Sequence, residues 1–117
     1  MFAQPAPNPA AGITRVTLEH HAVPGTDLEM RMVLITFPPS AASPVHHHPV
    51  AGLNYIVSGT AESAYGSAAP KVYHAGDTLQ DVADTPHSVF RNADPHAPLK
   101  FLIFYTAKPG QPYLVIP

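Results

Sequence analysis

An all-β sandwich or barrel is the fold class that this sequence predicts. Three observations carry it. Fifteen prolines against seven glycines oppose long helices and favour short strands with tight links. Alternating apolar and polar stretches recur between turn-forming clusters. No window holds the 3.6-residue apolar period of an amphipathic helix. A chain of 117 residues fits one domain around one core. We read residues 1–12 as a loose Pro- and Ala-rich arm and 13–117 as that domain.

Composition narrows the function. Apolar residues make up 45% and charged residues 12%, a globular balance rather than a disordered one. A net charge of −2 with no basic stripe argues against a nucleic-acid binder. The absence of cysteine excludes disulfides, thiolate catalysis and a Cys-zinc site. The first residues lack a basic region and an apolar core, so no signal peptide and a cytoplasmic location are expected. No apolar run approaches the ~18–20 residues of a membrane span.

The strands follow in order. Ile13–Glu19 alternates, and Val23-Pro24-Gly25-Thr26-Asp27 turns. Leu28–Phe37 is a second strand; with Glu29 and Arg31 outside, Met30, Met32 and Leu34 are expected inside. A Pro/Ser/Ala linker, 38–44, leads to the histidines. Strands are expected at 52–57, 61–65, 71–74, 78–82 and 87–91. Leu99–Thr106 is the longest apolar strand; with Lys100 outside, Phe101, Ile103 and Tyr105 face in. Tyr113–Ile116 is strand-like.

Pro44-Val45-His46-His47-His48-Pro49 is the unusual stretch. Flanking prolines forbid a helix. In extended chain the period of two sends His46 and His48 to one face and His47 to the other. Two imidazoles on one face can grip one divalent ion at roughly 2.0–2.2 Å. His87, in Thr85-Pro86-His87-Ser88, offers a third nitrogen. The plainer alternative is that these rings serve as hydrogen bonders or a general base without metal. His47 is expected outside, and His20, His21 and His96 in surface loops.

With the strands placed, the pattern is similar to the cupin family. That family's first motif pairs His-x-His with a downstream Glu and a closing Gly; here it reads His46-His47-His48, Gly52, then Tyr55-Ile56-Val57-Ser58-Gly59. Its second opens with Gly-Asp and ends in Pro-His followed by Asn; here, Gly76-Asp77, Pro86-His87 and Asn92. The motifs cover about the middle half of the chain. The resemblance implies a cupin-type double-stranded β-helix, or jelly-roll barrel, with one metal in its lumen on His46, His48 and His87. It also implies a homodimer. Three departures stand out: Gly52 takes the place of the glutamate ligand, Val82 and Asp84 replace a usual Pro and Gly, and one extra residue separates His87 from Asn92.

Three neutral imidazoles would leave the full +2 charge on the ion, a stronger Lewis acid than one with a carboxylate ligand. Fe, Zn, Ni, Cu and Mn all suit such a site. Asn54 shares the face of Gly52 and, with Met32, Gln80, Phe101 and Tyr105, is a candidate for the substrate pocket. The leading functional expectation is a dioxygenase-like enzyme acting on a small chelating carbonyl or enol metabolite. The alternatives are a non-redox isomerase, dehydratase or lyase, and a non-catalytic binding barrel.

Overall fold

The structure is a computed structural model, and it describes residues 11–117. Of the expected arm, residues 1–10 lie outside the described residues, and Ala11 and Gly12 form a turn. The strands are β1 (Thr14–Ala22), β2 (Glu29–Phe37), β3 (Gly52–Ser58), β4 (Thr60–Tyr65), β5 (Lys71–His74), β6 (Thr78–Asp81), β7 (His87–Asn92) and β8 (Leu99–Ala107). No helix occurs among the described residues. Eight of the expected strands are therefore present, with ends shifted by at most three residues, whereas Tyr113–Ile116 forms only a single bridge at Val115.

Two antiparallel sheets form, in the orders β1-β2-β8-β3-β6 and β5-β4-β7. Their inner faces enclose one core. Ile56 and Leu99 are fully buried, and Phe90 lies 5.5 Å from Phe37 and 4.9 Å from Phe101, centroid to centroid. Such tilted and edge-on contacts suit the ring quadrupole. Along β8 the expectation holds: Phe101, Ile103 and Tyr105 are buried and alternate with exposed or half-buried neighbours.

Along β2 the expected sidedness is reversed. Val33, Ile35 and Phe37 are buried, opposite Ile103, Phe101 and Leu99 of β8. Met30, Met32 and Leu34 face outward. Both faces of β2 are apolar, so the two charges decided the reading. Yet Arg31 stands on the inner face, opposite Tyr105 at the strand's first turn of ladder, and pairs there with Glu29. The half-exposed rim of the sheet tolerates this ion pair. His20 and His21 are exposed as expected but lie within β1 rather than in a loop.

Two departures from the family pattern have local explanations. The extra residue after His87 is absorbed by a bulge at Ser88, because Ala64 pairs with Val89 while Tyr65 pairs with His87. Asp84 replaces glycine at a left-handed position, φ 57°, which Asp tolerates better than most residues. The motif's closing Asn92 is fully buried. Its Nδ2 donates to Pro38 O at 3.1 Å and Ala97 O at 2.8 Å, stapling two loops together.

Candidate metal centre

Three loop segments converge at one end of the core. The histidine stretch forms single β-bridges rather than a strand: His46 with His87, His47 with Val115, and His48 with Ala83. His87 N donates to His46 O at 2.7 Å, and Asp84 N donates to His48 O at 2.8 Å. On the other side His47 and Val115 exchange backbone bonds of 3.0 and 2.9 Å. The tail thus clamps the histidine loop, and His47 is half-buried against it rather than free in solvent.

His46, His48 and His87 are 3–5% exposed, and their candidate ligand nitrogens lie within 4.8 Å of one another. Each ring is oriented through its other nitrogen. His46 Nδ1 meets Pro44 O at 2.7 Å, and His48 Nδ1 meets Tyr113 O at 3.0 Å. A carbonyl only accepts, so both Nδ1 atoms carry hydrogen, and in the neutral rings both Nε2 atoms carry the lone pairs. His87 Nε2 meets Ser63 Oγ at 2.8 Å, which leaves its Nδ1 toward the site. This is the outer-shell arrangement that fixes imidazole ligands. Tyr65 adds a ring stacked on His87 at 4.1 Å.

Burial holds His87 neutral, its pKa lowered to about 3, chiefly by desolvation and against the pull of Asp81. The pKa of His46 is lowered for the same leading reason. Neutral rings are the form that binds metal. Two nitrogens on one tetrahedral ion at about 2.1 Å stand about 3.4 Å apart. His48 Nε2 and His87 Nδ1 are 3.4 Å apart. This pair has the spacing of two ligands on one divalent ion, and His46 completes a set within 4.8 Å.

The rings open into a cavity of about 250 Å³ whose walls include Ile35, Phe37, Phe101, Ile103 and Leu114. Arg15 is the one cation on its lining and Asp81 the one carboxylate.

The sequence profile described as Cupin domain matches residues 33–105. The chain belongs to the cupin family. Among solved structures, this cupin is similar to DMSP lyase DddQ from Ruegeria pomeroyi DSS-3, at 20% identity and TM-score 0.70, over 89% of this chain and 51% of that one. It is similar at 19% identity and TM-score 0.66 to an uncharacterized conserved protein with a double-stranded beta-helix domain from Klebsiella pneumoniae, over 100% of this chain and 97% of that one. A third similar structure concerns the Mn(II) centers of Bacillus subtilis oxalate decarboxylase, with 25% identity, TM-score 0.61, 74% of this chain and 23% of that one. The cupin thus spans about half of the lyase and about a quarter of the decarboxylase. The search of curated protein sequences returns no match.

The candidate pocket residues of this cupin separate. Phe101 lines the cavity. Tyr105 is buried with its ring tilted against Tyr113 at 4.2 Å, one layer behind the lining. Asn54 faces the interior at 3% exposure but stands away from that lining, and its Nδ2 has no hydrogen-bond partner. Met32 is on the outer face of β2. Gln80 pairs with outward-facing Leu53 and is exposed. The parity of β6 therefore turns Leu79 and Asp81 inward instead. Sequence reasoning passed over Asp81, Ser63, Arg15 and Tyr113. For Asp81 one signal existed, an acid on the same face of its strand as Leu79.

Proposed function

We propose that this cupin is a metal-dependent enzyme, dioxygenase-like, that acts on a compact chelating carbonyl or enol metabolite. The observation that carries the proposal is the set of three imidazoles. Each is oriented through its far nitrogen, and together they turn their free nitrogens into one largely apolar cavity. His46, His48 and His87 would hold the ion, with Fe, Zn, Ni, Cu or Mn as candidates. The likeness to a decarboxylase with Mn(II) centers supports the place of manganese among them. Once bound, a divalent ion supplies Lewis acidity to paired substrate oxygens and, if redox-active, chemistry with dioxygen.

The chain's own residues do the remaining work. Ile35, Phe101 and Ile103 exclude water, which strengthens every charge interaction inside. Arg15 sits at the cavity wall near enough to His46 to oppose its protonation. It is placed to offset the charge of an enolate or carboxylate. The cavity suits a small ligand; a cofactor-sized one does not fit about 250 Å³. The test is oxygen uptake by the iron-loaded protein against small diketones, hydroxyketones and catechols. Uptake matched to substrate loss, and abolished in His48→Ala, is expected.

Turnover that continues without oxygen would instead favour a non-redox isomerase or lyase. The observation behind that second reading is the Asp81–Tyr65–Tyr113 cluster beside the cavity, whose groups can hold and move protons.

We also infer a homodimer. Val16, Leu53, Tyr55 and Phe104 are 42–62% exposed on the outer face of the larger sheet. Register places Phe104 between Met32 and Leu53, and Leu102 between Leu34 and Tyr55. A contiguous apolar face of this kind marks an interaction surface, and a second copy would present the same face by twofold symmetry.

A further inference from the structure

The glutamate position of the family is filled in this chain. Gly52 faces the interior between Asp81 of β6 and Tyr105 of β8. A Cβ built on it would lie 1.9 Å from Tyr113 Oη and 2.8 Å from Tyr113 Cζ. No glutamate fits there while Tyr113 stays. The hydroxyl that occupies this space donates to Asp81 Oδ2 at 2.5 Å. Tyr65 donates to Asp81 Oδ1, also at 2.5 Å.

Asp81 is 3% exposed, both its oxygens accept phenol hydrogens, and no Lys or Arg pairs with it among the described residues. Two phenol hydrogen bonds orient the carboxylate and leave its charge uncompensated, a costly state for a buried ion. Both phenols stay protonated. Burial, then the nearby Asp81, raises their pKa far above the ordinary phenol range.

His48 Nε2 lies 3.7 Å from Oδ1 of this carboxylate. In the neutral ring that nitrogen carries the lone pair, because Nδ1 holds the hydrogen donated to Tyr113 O. Two lone-pair atoms therefore face each other across a gap beside His87 Nδ1. A cation in that gap would satisfy both.

We propose that Asp81 is the carboxylate ligand of this centre, supplied from β6 in place of the glutamate that β3 lacks. The inference rests on the three-histidine reading above. It lowers the net charge of the loaded site from +2 to +1, against the expectation drawn from Gly52 alone. Tyr65 and Tyr113 act as positioning residues that hold the two oxygens, and Ser63 orients the opposite ligand.

The test is metal affinity, measured by chelator competition with Mn²⁺ and Co²⁺, together with the visible spectrum of the Co²⁺ form. Asp81→Asn keeps size and removes charge. Its affinity is expected to fall about 100-fold, the upper end of what altered ligand shells produce, and the Co²⁺ bands to change in position and intensity. Tyr65→Phe/Tyr113→Phe keeps the charge and removes the clamp; a loss of about tenfold with the bands nearly unchanged is expected. Equal affinity and an identical spectrum in wild type and Asp81→Asn would overturn the role of Asp81 alone. If Asp81→Asn fails to fold, the double Phe variant decides: affinity equal to wild type overturns the proposal. Absence of metal binding in the wild-type protein would overturn both readings.

Discussion

His87 carries a pH dependence that can be read from its surroundings. Its folded-state pKa is lowered to about 3 from the ordinary histidine value of 6.5. Between those values the unfolded chain binds a proton that the folded chain refuses. Stability therefore rises with pH through that window and falls as pH drops below about 6.5. The lowered pKa of His46 acts in the same direction. Urea midpoints of the metal-free protein should fall from pH 7.5 to pH 5, and His87→Gln should flatten that slope. A midpoint that does not move over this range would show that the rings are solvated. At this scale the sequence was informative about the imidazoles, because their spacing and flanking prolines are local properties. It was uninformative about the contact of Asp81 with Tyr113, which forms only because β3, β6 and the tail are adjacent in space.

At the scale of the element, β2 shows why alternation can mislead. It has two apolar faces, Met30-Met32-Leu34 and Val33-Ile35-Phe37. Only pairing with β8 reveals which one packs against Phe101 and Ile103. The charges at its start belong to a rim, where polarity says little about the strand's middle. β8 was legible because its exposed Lys100 falls within the packed part of the strand. The prediction for β2 follows from the observed sidedness. Ile35→Ala should lower unfolding stability by about 2–5 kcal/mol, measured by chemical denaturation. A loss below about 1 kcal/mol would contradict the packing. The histidine segment shows another limit. It was expected as extended chain and is held instead by single bridges to His87, Val115 and Ala83. Those partners, rather than local propensity, bring three separate imidazoles together.

For the whole molecule, the two sheets divide the work. Their inner faces build the core and the cavity, while the outer face of the larger sheet is available for assembly. Replacing Leu53, 62% exposed at the centre of that face, by Lys should convert a dimer to a monomer in light scattering without loss of fold. A wild-type monomer would contradict the assembly and leave the metal site untouched. The fold was legible because two motifs and eight strand segments agree at every level. The family profile over residues 33–105 matches that reading.

The central claim is that His46, His48 and His87 close on a single ion. Elemental analysis of protein purified without chelator, paired with His46→Ala and His87→Ala, tests it most directly. The account predicts about one divalent ion per chain in wild type and near-complete loss in both variants, as expected for a first-row metal held by few ligands. Metal-free wild-type protein after incubation with excess ion, or full retention in either variant, would contradict it.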